Sequence, residues 1–267
     1  MFKTRLLSGI VLVALALILI ITGGNVLLVS TLIISEIGLF ELYRVFHMEK
    51  SAAGIVGYLA VIVFYLDLAF RFIPFHAMFP VCLMVVLLIV FVLGFPKFST
   101  EQIMAAFFGV YYVAVMLSYI YQTRMLDHGE YLVWLIFLCS WGCDTSAYCV
   151  GRLFGKHKMA PVLSPKKSVE GAVGGVAGAM ILTLLYCFLL RLKMHTSGVD
   201  ILLLTLSSGV GALISMVGDL AASAIKRNYD IKDYGKLIPG HGGILDRFDS
   251  VIITAPIIFY LSALIGR

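Results

Sequence analysis

The stretch Asp219–Asp249, DLAASAIKRNYDIKDYGKLIPGHGGILDRFD, lies between two strongly apolar runs at about residues 201–222 and 250–266. It carries Asp219, Asp230, Asp233, Asp246 and Asp249 together with Lys226, Arg227, Lys232, Lys236, His241 and Arg247. In a chain that is 61% hydrophobic, charge this dense needs a chemical reason. Lys and Arg suit phosphate, and aspartate oxygens suit a hard cation such as Mg²⁺. The two together point to metal-assisted chemistry on a phosphorylated substrate at a membrane surface. A solvated loop would also be charged. Asp219, however, falls inside an apolar helical pattern, and Pro239–Gly243 (PGHGG) has the composition of a tight bend.

The apolar remainder decides the fold class. With 267 residues, 13% charged, and a mean hydropathy of +1.03, the chain reads as an all-α, polytopic membrane helical bundle. About twenty apolar residues cross a bilayer core, and that rule places about nine spans near 5–22, 26–46, 52–70, 77–95, 101–122, 131–151, 170–190, 201–222 and 250–266. These group into a three-helix region (1–70), a two-helix region (71–130) and a four-helix region that carries the chemistry (131–267). The basic start and apolar run of the first segment mimic a signal peptide, but the run is long and no small-residue cleavage site follows, so it reads as a retained helix. With the N-terminus cytoplasmic, fifteen of the 20 Lys and Arg fall on the cytoplasmic side and five (Arg71, Arg124, Arg191, Lys193, Arg267) on the other. The net charge of +5 therefore speaks for anionic lipid or nucleotide phosphates, not nucleic acid, and no aromatic-rich basic module for RNA is present. The five cysteines all fall within predicted spans and read as small apolar fillers.

Other polar residues divide between site and scaffold. Glu41 with Arg44, and Asp67 with Arg71, either serve a site or simply pair near a membrane interface. His76, in the two-proline turn Phe72–Pro80, reads as interfacial. Asp144 stands in an apolar run and requires a cavity, a cation or a base. Lys166, Lys167 and Ser168 precede a helix, where free N–H groups, a hydroxyl and two ammonium groups hold phosphates. The same residues also suit positive-inside charge with a serine N-cap. Gly171, Gly174, Gly175 and Gly178 have the spacing of close helix packing. Asp219, Ser223 and Lys226 or Arg227 share a helix face, as do Asp246 and Asp249. Carboxylates converging from these two helices would repel one another unless a divalent cation joined them.

Two blocks resemble the phosphatidate cytidylyltransferase, or CDP-diacylglycerol synthase, family. The first pattern, S-x-x-K-R-x4-K-D-x-G-x3-P-G-H-G-G-x2-D-R-x-D, is met by Ser223, Lys226, Arg227, Lys232, Asp233, Gly235, Pro239, Gly240, His241, Gly242, Gly243, Asp246, Arg247 and Asp249. The second, D-x-x-A-Y-x2-G-R-x-F-G-K followed by S-P-K-K-[ST]-x-E-G, is met from Asp144 to Lys156 and from Ser164 to Gly171.

The resemblance implies transfer of a cytidylyl group from CTP to phosphatidic acid, with loss of pyrophosphate. It also implies Mg²⁺, with room for a second cation, and a homodimer in a bacterial inner membrane with its site open to the cytoplasm. On that reading Asp219, Asp246, Asp249 and Asp144 hold metal, and Lys166, Lys167 and Ser168 hold CTP phosphates. Ser223, Lys226, Arg227 and Arg247 meet pyrophosphate or lipid phosphate, and His241 does acid–base work or shapes the turn. Two alternatives remain: a CTP-dependent enzyme acting on another lipid (a polyprenol kinase or an ether-lipid cytidylyltransferase), and a cation-coupled transporter.

Overall fold

The computed structural model describes residues 2–72 and 78–265. Among these residues it consists of helices and one short hairpin. The helices are α1 (Phe2–Thr22), α2 (Gly24–Val45), α3 (Ala52–Phe70), α4 (Met78–Gly94), α5 (Thr100–Arg124), α6 (Gly129–Phe154), α7 (Val169–Leu190), α8 (Gly198–Asn228) and α9 (Leu245–Ile265). The strands β1 (Lys158–Ala160) and β2 (Ser164–Ser168) pair antiparallel between α6 and α7. The chain is thus an all-α, polytopic membrane protein, with helices where the hydropathy places them.

Seven of the nine described helices, α2, α3 and α5–α9, are long and apolar enough to cross a membrane. The other two are shorter as apolar segments, Ser8–Thr22 of α1 and the 17-residue α4. The expected turn at Phe72–Pro80, with His76, falls largely outside the described residues.

Caps fix where the helices begin. Ser51 accepts from Gly54 N–H at the start of α3, and Ser168 accepts from Gly171 N–H at the start of α7. Ser99 with Gln102, and Ser197 with Asp200, form reciprocal capping boxes at α5 and α8. Two helices contain π-helical segments, Val110–Val115 in α5 and Leu138–Gly142 in α6. The second ends two residues before Asp144, and such segments often re-aim side chains at functional sites.

By its internal contacts the chain forms two compact units. One comprises Met1–Ser118 with Asp233–Asp246; the other comprises Tyr119–Lys232 with Arg247–Arg267. Of the three chain boundaries between them, one lies inside the region 71–130 and two lie inside 131–267.

In the first unit α2 is central. Leu39, Leu42 and Tyr43 are fully buried, and the Tyr43 hydroxyl donates to the Ala106 carbonyl of α5 at 2.7 Å. In the second unit α6, α7 and α8 pack around Cys143, Ala179, Ala212 and Met216. The glycines of α7 make this possible. A Cβ on Gly171 would stand 2.9 Å from the Ala147 carbonyl oxygen, and one on Gly175 would stand 2.9 Å from Cys143 Sγ and 3.0 Å from Ala147 Cβ. Gly174 and Gly178 abut Val150 and Ser146. The small residues therefore set the α6–α7 separation, as their spacing predicts. Of the cysteines, Cys139, Cys143 and Cys187 are buried fillers, while Cys82 and Cys149 lie exposed on their helices.

Gly175→Val should overpack this crossing and lower stability by about 1–3 kcal/mol. Thermal unfolding in detergent would show it as a lower Tm, and an unchanged Tm would mean that α6 and α7 need no such approach.

Candidate functional site

The second unit assembles most of the residues singled out from sequence. Gly218 lets α8 and α9 touch at their backbones, since a Cβ there would meet the Asp249 carbonyl oxygen at 2.8 Å. The aspartate after Gly218 is consequently brought into electrostatic range of Asp249, and Asp144 of α6 is within range of both. The Ser250 hydroxyl reaches Asp144 Oδ2 at 3.4 Å, and the Ser250 N–H donates to Asp249 Oδ1 at 2.8 Å. The Trp141 indole N–H, within the π-helical segment of α6, donates to the Arg247 carbonyl at 3.3 Å. That bond ties the approach of Asp144 to α9.

A cleft of roughly 380 Å³ opens over these helices. Asp144, Arg152, Lys166, Lys167, Ser168 and Asp219 line it. Two acidic and three basic side chains therefore share one concave surface. The Lys167 ammonium hydrogen-bonds and ion-pairs with Asp219 Oδ2, each side chain being 24% exposed.

The hairpin holds the basic residues in place. Ser168 closes β2 and caps α7, with its hydroxyl accepting from Gly171 N–H at 3.1 Å. The serine expected at the phosphates thus spends its oxygen on the helix N-terminus and is 8% exposed. Gly151 and Gly155 crowd the same hydroxyl: a Cβ on Gly155 would stand 2.7 Å from it, and one on Gly151 3.1 Å. Glu170 pins the turn that enters the hairpin. It accepts from Lys156 N–H at 3.0 Å and His157 N–H at 3.2 Å, and pairs with His157 Nδ1 at 2.5 Å. Gly151, Gly155 and the Lys156 amide of the first block therefore form one packing node with Ser168, Glu170 and Gly171 of the second, beside Lys166 and Lys167.

Ser223 is half-buried on α8, Lys226 lies within electrostatic range of Asp249, and Arg227 is exposed. Arg247 lies within range of Asp144, and its Nε is buried without a hydrogen-bond partner. A buried guanidinium N–H left open is costly unless a ligand completes it.

His241 and Asp246 belong to the first unit, where they organise the PGHGG loop. Gly240 and Gly242 take positive φ, 78° and 87°, and Ile238 N–H donates to the Gly242 carbonyl at 2.8 Å. The Ser8 hydroxyl donates to the Pro239 carbonyl at 3.0 Å and lies 2.8 Å from His241 Nδ1. Its one proton is spent on Pro239, so His241 Nδ1–H must donate to it. Asp246 is 6% exposed, and its Oδ2 accepts from Tyr234 N–H at 2.8 Å and Gly243 N–H at 2.9 Å.

Glu41 and Arg44, which sequence alone left between a site role and a simple pair, both grip this loop. Glu41 accepts from Ile244 and Leu245 N–H, and Arg44 donates to the Tyr234 carbonyl. Ser8 carried no sequence signal at all.

The comparison with known proteins now has a geometry to meet. A profile of the Cytidylyltransferase family matches residues 3–265. The chain belongs to the cytidylyltransferase family. It is 33% identical over 269 residues to the phosphatidate cytidylyltransferase of Bacillus subtilis, covering 98% of each chain. It is 32% identical to the proteins of the same name from Staphylococcus saprophyticus and Staphylococcus aureus, covering 96% of this chain and 97% of each of those. This cytidylyltransferase-family chain thus matches its relatives over nearly its whole length, including the five N-terminal helices that carry no motif.

Glu170→Gln should loosen the hairpin while leaving the helices intact. Limited trypsin digestion in detergent should then cut faster after Lys156 and Lys158, and an unchanged cleavage rate would remove Glu170 from this role.

Proposed function

We propose that the protein transfers a cytidylyl group from CTP to phosphatidic acid, releasing pyrophosphate and forming CDP-diacylglycerol in phospholipid biosynthesis. The observation that carries the reading is the cleft of the second unit. There Lys166, Lys167 and Arg152 face Asp144 and Asp219, inside a membrane protein whose relatives bear that enzyme's name.

The reaction forms a bond between a phosphatidate oxygen and the α-phosphorus of CTP, and breaks the bond from that phosphorus to the oxygen leading to the β-phosphorus. The nucleophile is a phosphate monoester, already largely dianionic at neutral pH. It needs no base, so His241, held at Nδ1 against Ser8, is assigned here to shaping the turn. The main barrier is repulsion between two anions, so catalysis is charge neutralisation and in-line positioning. In this proposal Lys166 and Lys167 hold the CTP phosphates. Lys226, Arg227 and Arg247 meet the lipid phosphate or the departing pyrophosphate, and Ser223 is a hydroxyl donor to phosphate. The buried, unpartnered Arg247 Nε supports that assignment. Ser168 contributes through the helix start that it caps.

The donor set also bears on Mg²⁺. As placed, the described residues hold no group of three His, Cys, Asp or Glu that encloses an ion. Asp144, Asp219 and Asp249 nonetheless lie within electrostatic range of one another, and oxygen-only donors suit a hard cation. We assign these three to the metal. Asp246, one turn before Asp249 on α9, is the further candidate. Bound there, Mg²⁺ would neutralise phosphate charge and polarise the α-phosphoryl group. With nine spans and a cytoplasmic N-terminus, the lysine and arginine surplus on one side supports a site open to the cytoplasm of a bacterial inner membrane, and a homodimer completes the proposal.

Purified protein in detergent should release pyrophosphate only when CTP, Mg²⁺ and phosphatidic acid are all present, with CDP-diacylglycerol as the lipid product. Formation of polyprenyl phosphate and CDP with a polyprenol acceptor instead, or CTP-independent flux in sealed vesicles, would overturn the assignment. Asp219→Asn should lower turnover by about 10²-fold or more while leaving thermal unfolding near that of the parent. Asp246 separates two roles. Asn keeps an oxygen for the Tyr234 and Gly243 amides but removes the charge, so a loss in Asp246→Asn equal to that in Asp246→Ala marks a ligand. Activity retained by Asn alone marks a loop anchor.

A further inference from the structure

We propose that Glu41 is a positioning residue for this reaction: from α2 it grips the first turn of α9 and so fixes the conformation of the loop that carries His241 and Asp246. The inference rests on the activity proposed above only for its kinetic part.

Glu41 is 4% exposed, and both of its oxygens are used. Ile244 N–H donates to Oε1 at 3.1 Å and Leu245 N–H to Oε2 at 2.9 Å. The first amides of a helix have no partner within the helix and are normally satisfied by the residue just before it. Here a carboxylate some two hundred residues upstream does that work. Its negative charge also sits at the positive end of the helix dipole.

Two glycines of the recognisable block are explained by the same carboxylate. A Cβ on Gly243 would stand 2.5 Å from Glu41 Cδ, and one on Gly235 would stand 2.7 Å from it. Neither glycine is among the residues with positive φ. The demand for glycine at these two positions is therefore one of space, and Glu41 fills the space. Gly240 and Gly242 differ, since their left-handed backbone alone calls for glycine.

Arg44, three residues on, completes the grip by donating to the Tyr234 carbonyl. The Tyr234 amide and Gly243 amide meet on Asp246 Oδ2. Both limbs of the loop are thus tied, one through Tyr234 and the other through Gly243–Leu245. Loss of Glu41 frees the second limb at the residue before Asp246.

The test combines amide exchange with kinetics on the full chain in detergent. In the parent, the Ile244 and Leu245 amides should be protected. In Glu41→Ala their exchange should rise about tenfold or more, with the amides of α3 unchanged. Turnover should fall about tenfold, while KM for CTP moves by less than about twofold, because Lys166 and Lys167 lie on another segment. Gly243→Ala should cause a similar loss alone and little further loss in a Glu41→Ala background. Unchanged exchange in Glu41→Ala, or strictly additive losses in the double variant, would overturn the proposal. Should Glu41→Ala fail to fold, Glu41→Gln decides. The two amides sit on separate oxygens of Glu41, and glutamine keeps an acceptor at only one of those places, so exchange of at least one amide should rise, and parent-like protection of both sinks the idea. Failure of the parent to release pyrophosphate would count against the enzymatic reading alone, because amide exchange reports on Glu41 without any turnover.

Discussion

A carboxylate accepting backbone N–H groups is the interaction on which the polar parts of this protein depend. A helix within a membrane satisfies its own backbone, but a bend, a hairpin or a helix start does not, and an unmet amide there is expensive. In the first unit Glu41 takes the amides of Ile244 and Leu245, and Asp246 takes those of Tyr234 and Gly243. In the second unit Glu170 takes those of Lys156 and His157. Each bond of this kind engages a charged acceptor and is correspondingly stronger than a neutral one. The non-helical segments are held by acids, and that leaves the lysines and arginines in them for other partners.

The close approach of backbones is the second constraint, and it follows from the first. A carboxylate can reach two amides only where no side chain intervenes, so Gly235 and Gly243 surround Glu41. The same logic governs the helix crossings. Gly218 admits the Asp249 backbone to α8, and Gly171 and Gly175 admit α6 to α7. A glycine beside a functional residue here marks the space that residue's neighbour needs. Gly240 and Gly242 in the PGHGG turn, like Gly23 and Gly24 ahead of α2, are instead called for by their own dihedrals.

Much of this was legible from the chain. Hydropathy marked the helices because the bilayer imposes length and apolarity on each segment independently. The bend at PGHGG and the packing role of the α7 glycines followed from spacing, while a common site for Asp144, Lys166, Lys167 and Asp219 was implied by the family resemblance. Other features were not legible, for identifiable reasons. The hairpin of Lys158–Ala160 with Ser164–Ser168 is too short and too polar to show a period of two. The π-helical turn before Asp144 has no sequence signature, since it changes one hydrogen-bond step within an otherwise ordinary apolar run. Glu41 looked like half of a local pair with Arg44 because i, i+3 spacing is visible in sequence and a partner two hundred residues away is not. Ser168 fitted equally well as a phosphate donor and as a helix cap, and only the position of the Gly171 amide decides what its oxygen does.

The pairing of Lys167 with Asp219 gives the cleft its economy of charge. Lys167 is a single ammonium with two possible claimants, the aspartate it now touches and, on the proposed reading, a nucleotide phosphate. A carboxylate that accepts a divalent cation no longer needs a lysine, and a phosphate that arrives with that cation does. Of the five charged groups that line the cleft, Asp144, Asp219, Arg152, Lys166 and Lys167, the bases outnumber the acids three to two, a surplus that suits an anionic ligand. Unpaired charge near a low-dielectric slab is what the fold can least tolerate. Pairing Lys167 with Asp219 meets that constraint for these two groups, and the 24% exposure of each leaves both within reach of an incoming ligand.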